Sequence, residues 1–235
     1  MENKRQRLHA IQEEIGETEY LNELSETDLD DLGLLLMEPQ LYIEELLKIQ
    51  TKSGEIAPFV FNRAQQKIYD EYMRQKKDGK PIRLIILKAR QLGLTPWSIA
   101  MMVQDCATTE NMRAMIITHK SDASTKVLDK HRLFYEKLPM EFQPMRRASN
   151  AKEIIFENPS NVPKEKRESP GLRSRIEIET AVNKDIRGDT IHMLHMSELA
   201  FWPYPEQTMA SALQAVPNLP GTVVIIESTA NGVGA

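Results

Sequence analysis

From Arg83 to Met102 the chain reads RLIILKARQLGLTPWSIAMM. The apolar run Leu84, Ile85, Ile86 and Leu87 predicts a buried strand, and the polar residues after it predict a short turn. Thr95-Pro96 opens a helix, because proline fits the first helical turn, where its missing N–H is not needed. A strand running through a tight turn into a helix N-terminus aims free backbone N–H groups and the positive end of the helix dipole at one point. Phosphate is the commonest guest of such a device. The plain alternative is an ordinary strand–turn–helix with a solvated basic turn.

The phosphate-loop pattern G-x-x-x-x-G-K-[ST] fits the stretch in part. Gly93 falls on the second glycine and Thr95 on the terminal hydroxyl, whereas Lys88 stands at the first glycine and Leu94 at the lysine. A phosphate loop needs positive charge near the β- and γ-phosphates. Lys88 and Arg90, at the start of the loop, are the cations placed to supply it.

The remainder of the chain sets the context. Its 235 residues suffice for one substantial α/β domain with an appendage. No apolar run approaches the ~18 residues of a membrane span, and Met1 to Leu21 is too polar for a secretory signal. Cys106 is the single cysteine, so an internal disulfide and a cysteine-built zinc site are both excluded, and a cytosolic protein is expected. Residues 1–50 carry 13 acidic and 4 basic side chains, a net of −9, out of 34 acidic and 30 basic in all. Residues 51–235 therefore hold 21 acidic and 26 basic side chains, a net of +5. A mildly basic body behind an acidic N-terminal segment permits a nucleic-acid partner without demanding one.

Residues 1–50 read as helices, with a start at Ser25-Glu26-Thr27-Asp28, a break at Glu38-Pro39 and an apolar face of Leu41, Ile43, Leu46 and Leu47. The simplest role for them is a helical extension that completes the core; a partner-binding segment is the alternative. Phe61 leads into a helix through Ile68, Tyr69 and Tyr72. Arg113 to Thr118 predicts a second buried strand, with a tip at His119-Lys120-Ser121-Asp122 that either touches ligand or is a plain helix cap by Ser121. A helix through Val127, Leu128, Phe134 and Leu138 follows, and Pro139 and Pro144 stop it. Residues 144–175 scatter Arg146, Arg147, Lys164, Lys166, Arg167, Arg173 and Arg175 among prolines, which suits a solvated surface loop or a basic loop that meets nucleic acid. Residues 154–156 and 175–179 read as short strands. Ile191, Met193, Leu194 and Met196 form a third buried strand ending in Ser197-Glu198. Val223 to Ile226 form a fourth, ending in Ser228-Thr229-Ala230-Asn231-Gly232, which alone is also a respectable turn. His192 and His195 are three apart, on opposite faces of a strand, and read as structural.

K-x-R-Q-x-G-x-T after a buried strand, Lys88 to Thr95, resembles the deviant Walker A motif of large terminase subunits, the DNA-packaging motors of tailed phages. In that family a cation at the start of the loop often takes over from the usual lysine. The resemblance covers about residues 58–235, and its specificity lies in the ordered set of motifs. It implies an α/β, RecA-like P-loop NTPase with a mainly parallel central sheet flanked by helices, plus an N-terminal helical segment over residues 1–57. The implied cofactors are ATP and Mg²⁺. Gln65, with Gln66 as the neighbour that can displace it, resembles the adenine-reading glutamine. The loop Ala89, Arg90, Gln91, Leu92, Gly93, Leu94 and Thr95 would cradle the phosphates. A Walker B strand ends in Asp-Glu; Ser197 stands here for the aspartate, leaving Thr95 the better of the two metal ligands, and Glu198 would orient the attacking water. Arg187, followed by Gly188, would be the arginine finger of a neighbouring subunit's site, or else a surface arginine. Ser228, Thr229, Asn231 and Gly232 resemble the coupling motif that senses the γ-phosphate.

The resemblance further implies double-stranded DNA, a portal protein and a small terminase subunit as partners. It implies a homo-oligomeric ring, expected as a pentamer on the portal and a monomer in isolation, working in the host cytoplasm at the procapsid portal and without a membrane. The family's nuclease domain follows the coupling motif, so an isolated motor with ATPase and no DNA cleavage is expected. A helicase or translocase of the same fold, and a non-hydrolysing nucleotide-binding scaffold marked by Leu94 and Ser197, are the competing readings.

Overall fold

In the computed structural model, residues 26–150, 152–182 and 190–232 are described. In chain order the elements are α1 (Glu26–Met37), α2 (Pro39–Leu46), β1 (Lys48–Gln50), β2 (Ile56–Pro58), α3 (Arg63–Lys77), β3 (Ile82–Leu87), α4 (Leu94–Thr108), β4 (Arg113–Thr118) and α5 (Ser121–Lys137). Then come β5 (Ala148–Ser149), β6 (Glu153–Phe156), α6 (Pro163–Glu168), β7 (Ser174–Thr180), β8 (Met193–Ser197), α7 (Pro205–Gln214) and β9 (Val223–Ser228).

Seven strands form one sheet in the order β3-β9-β8-β4-β7-β6-β5. The first five run parallel, and β6 and β5 add an antiparallel margin. The four apolar strands expected from the sequence thus lie side by side, and their carboxyl ends share one edge. Parallel strands need crossovers on the faces, and both faces are covered. On one face Ile82, Leu84, Ile116, Met193, Val223 and Ile225 pack under α4 and α5, with Tyr42, Ile43, Leu46 and Leu47 of the N-terminal segment joining the same core. On the other face Met115, Ile117, Leu194, Met196 and Val224 pack against Trp202, Ala212 and Val216 around α7.

The N-terminal segment turns at Glu38, whose carboxylate accepts a 2.7 Å hydrogen bond from the Leu41 N–H and caps α2 directly before Pro39. Tyr42 is buried there, and Leu41 only half-buried. The antiparallel β1–β2 hairpin was not legible as a strand pair, since its three-residue arms carry no alternation. A second difference concerns β3. Its alternate residues Ile85 and Leu87 are 85% and 79% exposed. The strand lies at the sheet edge, where the second face runs out beyond α7, so only Ile82, Leu84 and Ile86 turn inward.

Candidate functional site

The site forms where the tips of β3, β9, β8 and β4 meet the N-terminus of α4. Gly93 precedes α4 in the left-handed region, at φ 72°, and no side chain caps the helix. The left-handed backbone favours glycine here, and a Cβ would lie 2.9 Å from Gln65 Nε2 and make that amide shift. Gln91 also has a positive φ, 64°, which sharpens the turn. The loop is held from behind by the start of α3. Asn62 and Gln65 form a reciprocal capping box there. The same two side chains reach the loop: Asn62 Nδ2 donates to Leu92 O at 3.0 Å and Gln65 Nε2 to Gly93 O at 2.7 Å. Gln65 Oε1 accepts from the Asn62 N–H at 2.8 Å. Both ends of the Gln65 amide are engaged with backbone in this state. Gln66 turns away, exchanging hydrogen bonds with Gln40 of α2.

Lys88 and Arg90 separate at once. Lys88 leaves β3 through an N–H bond to Ser228 O and sends its ammonium inward, with 8% of the side chain exposed. Its Nζ lies 2.9 Å from Glu198 Oε1 and 2.7 Å from Glu227 Oε2. Arg90, like Ala89 and Gln91, is exposed on the loop.

Glu198 occupies a left-handed backbone conformation, φ 56° and ψ 47°, where β8 ends and a short 3₁₀ turn, Leu199–Phe201, begins. A non-glycine residue held there stores strain, a mark of functional positions. Its N–H donates to Glu227 O at 2.8 Å, and its Oε2 accepts from the N–H and hydroxyl of Thr229, each at 3.0 Å. Burial pushes its carboxyl up, but the Thr229 N–H and the Lys88 ammonium outweigh it and hold Glu198 below its ordinary value. The β9 tip also grips the turn after Glu198. Ala200 N donates to Ser228 Oγ at 3.2 Å, and Asn231 Nδ2 to Ala200 O at 2.8 Å. Gly232 follows with φ 88°.

Beneath the loop sits a residue to which sequence reasoning assigned no role. Glu227 is fully buried, and its Oε1 accepts from Thr95 Oγ1 and from Ser197 Oγ, each at 2.8 Å. His195 Nε2 is 3.4 Å from the same oxygen, and burial, with Lys88 nearby, pushes that imidazole down to about 3, so it stays neutral at ordinary pH. The visible signal was a carboxylate closing the apolar run Val223 to Ile226, directly before Ser-Thr. Asn62 was also missed; its Asn-x-x-Gln capping box was there to be read.

Lys88, Thr95, Ser197 and Glu198 line a cleft of about 900 Å³ together with Ile49, Phe59, Val60, Thr118, His119 and Lys126, and Glu227 lies buried beneath them. His119 of the β4 tip therefore faces the cleft. The α5 N-cap is Lys120 without a side-chain hydrogen bond, so Ser121 does not cap that helix. Arg187 and Gly188 lie outside the described residues. The basic stretch is partly neutralised: Arg146 stacks on Tyr135 at 4.0 Å, Arg147 pairs with Glu157 at 2.8 Å, and α6 is exposed throughout.

A hydroxyl pair and a buried carboxylate are hard oxygen donors that suit Mg²⁺. Among the described residues no group of three or more His, Cys, Asp or Glu side chains forms a cage for a metal by itself.

A mainly parallel sheet with helices on both faces, a loop–helix anion cradle at one strand tip and carboxylates at the next two define an α/β protein of RecA-like fold. Solved structures of that fold give it closer company. The HK97 bacteriophage large terminase superposes with a TM-score of 0.60 over 82% of this chain at 12% identity. A variant of the Thermus phage P74-26 large terminase ATPase domain superposes with a TM-score of 0.52 over 74% of this chain at 17% identity. The chain spans 37% of the length of the first and 66% of the second. No protein-family model and no curated protein matches the sequence. The chain thus has the fold of phage large terminase ATPase domains. Among the described residues no helix is long and apolar enough to cross a membrane.

Proposed function

We propose that this chain is the ATP-hydrolysing motor domain, over about residues 58–235, of a phage DNA-packaging terminase. The observation that carries the reading is the meeting of Lys88, Thr95 and Glu198 below the uncapped N-terminus of α4, at the shared edge of four parallel strands. Ligands bind at that edge in open α/β sheets. Loop N–H groups from Arg90 to Thr95 bind the triphosphate, and Lys88 turns from its carboxylate partners to the phosphate. Arg90, free on the loop, supplies charge from outside. Thr95, together with Ser197, is the oxygen donor for Mg²⁺, which when bound neutralises charge on the β- and γ-phosphates. Glu198, released from Lys88, orients and polarises the attacking water. The Thr229 N–H and hydroxyl, which already bond its Oε2, continue to favour its ionised form after Lys88 has turned away. Ser228, Thr229, Asn231 and Gly232 read the change, because Thr229 already holds Glu198 and Asn231 holds the turn behind it. Gln65 acts by fixing Gly93, and its position in the cleft wall leaves adenine recognition open to the same amide.

By the same reading the motor works on double-stranded DNA, on a portal with a small terminase subunit, as a ring in which Arg187 completes a neighbour's site, in the host cytoplasm. The test is Mg²⁺-dependent phosphate release from ATP at rising protein concentration, for wild type, Glu198→Ala and Lys88→Ala. Turnover that rises steeply with concentration and falls by about 10²-fold or more in Glu198→Ala is expected. Turnover indifferent to Glu198→Ala sinks the mechanism, and nucleotide binding without turnover at any concentration favours the scaffold reading.

A further inference from the structure

The end of β8 lacks one charge. If the proposed function holds, a carboxylate is needed next to Thr95 to balance the divalent cation that accompanies ATP, and Ser197 cannot supply it. The sheet register shows where the charge went. Ser197 pairs with Glu227 across the parallel β8–β9 ladder, so the two side chains leave neighbouring strands on one face. Serine is short and leaves the space above it open. Glutamate, one methylene longer than aspartate, reaches through that space, and its Oε1 collects both the Thr95 and the Ser197 hydroxyls at 2.8 Å.

We infer that Glu227 is the carboxylate of the divalent-cation subsite, carried on β9 in place of the residue expected on β8, with Thr95 and Ser197 as its hydroxyl partners. Lys88 is the resting counter-ion of that subsite. A carboxylate buried to 0% exposure is costly unless paired, and in this state Lys88 pairs with it at 2.7 Å. When Lys88 turns to the phosphate, Glu227 is left without its cation in a dry site. Hard oxygen donors facing a triphosphate then fit a Mg²⁺ ion. A structural Lys88–Glu227 pair would also want hydrogen bonds on its second carboxylate oxygen; what points to a cation subsite is that one of the two donors is Thr95, in the first turn of the helix that the nucleotide reading sets at the phosphates. This inference rests on the nucleotide reading above and extends it to a residue and a strand.

The test separates the two. ATP binding is titrated calorimetrically in Mg²⁺ and in EDTA for wild type and Glu227→Gln. Wild type should bind ATP in EDTA, and at least about tenfold more tightly in Mg²⁺, the scale on which metal-site partners act. Glu227→Gln should keep the EDTA affinity and lose the Mg²⁺ advantage. No ATP binding by wild type under either condition overturns the nucleotide reading, and this inference with it. A wild type indifferent to Mg²⁺, or a folded Glu227→Gln that retains the preference, overturns the role of Glu227 and leaves nucleotide binding standing. If Glu227→Gln does not fold, Mn²⁺ binding without nucleotide decides by electron paramagnetic resonance. Lys88→Met/Glu198→Gln, which removes the counter-ion of Glu227 and leaves it the carboxylate beside Thr95 and Ser197, should bind Mn²⁺ about tenfold more tightly than wild type. Unchanged Mn²⁺ affinity overturns the inference.

Discussion

Glu198 and Gly93 show how single residues are constrained here by more than their chemistry. Glu198 is held in a left-handed conformation by its own N–H bond to Glu227 O, while Thr229 and Lys88 fix its carboxylate. Gly93 sits in the left-handed region, and a Cβ there would lie 2.9 Å from the Gln65 amide, which would have to move aside. Gly93→Ala should therefore cost roughly 1–2 kcal/mol from the left-handed backbone alone. It should also push Gln65 off the Gly93 carbonyl and weaken ATP binding about tenfold. Equilibrium denaturation and a nucleotide titration read the two effects separately, and an unchanged nucleotide affinity would show that Gln65 does not position the loop. Alternation along β3 has an equally local consequence. Ile85→Asn, at a side chain 85% exposed, should change stability by no more than about 0.5 kcal/mol. Leu84→Ala, on the buried face one residue earlier, should cost about 2–5 kcal/mol in the same denaturation experiment.

At the scale of elements, the start of α3 and the start of α4 form one unit. The capping box that satisfies the first N–H groups of α3 also grips Leu92 O and Gly93 O, the last two carbonyls before α4. Asn62→Ala should thus lose about 1 kcal/mol as a helix cap and raise the ATP concentration needed for half-saturation. Asn62→Asp, which keeps the capping acceptor but cannot donate to Leu92 O, should recover the stability and not the affinity. Recovery of both would reduce Asn62 to a plain cap. The β8 and β9 tips are coupled in the same way, with Asn231 and Ser228 tied to the turn after Glu198. Glu198 is thereby joined to the chain after β9 by direct hydrogen bonds, the route along which the proposed function would pass a change at the phosphate.

For the molecule as a whole, the buried face of α5 carries an acid-sensitive point at His131. His131 of α5 is 1% exposed, and burial pushes its imidazole down from 6.5 to about 3. The unfolded chain takes up this proton near 6.5 and the folded chain only near 3. The contribution is intact above pH 6.5 and declines as pH falls below it, because the unfolded state then binds more protons. At about pH 5 the loss should be about 2 kcal/mol, from roughly 1.4 kcal/mol per unit. His131→Leu should remove it, so the stability difference between the variant and wild type should shift by that amount between about pH 7.5 and pH 5 in urea melts. A difference that does not change with pH would mean that His131 is hydrated in the folded state.

Much of this architecture could be read along the chain, because apolar runs that end in polar residues are a one-dimensional signal. The strands at Leu84, Ile116, Leu194 and Val224, the helices after the first two and the loop at Gly93 were visible in that way. Their tips do gather at one edge of a mainly parallel sheet. What remained hidden depended on neighbours that local patterning does not name. Ile85 and Leu87 look as buried as Leu84 until the sheet order makes β3 an edge strand. Lys88 and Arg90 look equivalent until the turn of the loop sends one inward and leaves the other in solvent. Glu227 looks like the last residue of an apolar strand, and only the β8–β9 register sets it opposite Ser197 and beneath Thr95. By itself the sequence determined the long apolar strands, the helices beside them and the types of group at their ends, since propensity and hydrophobic period act within a few residues. The tertiary structure decided which ends meet and which charges pair, because burial and ion pairing act between strands far apart in the chain and close in space.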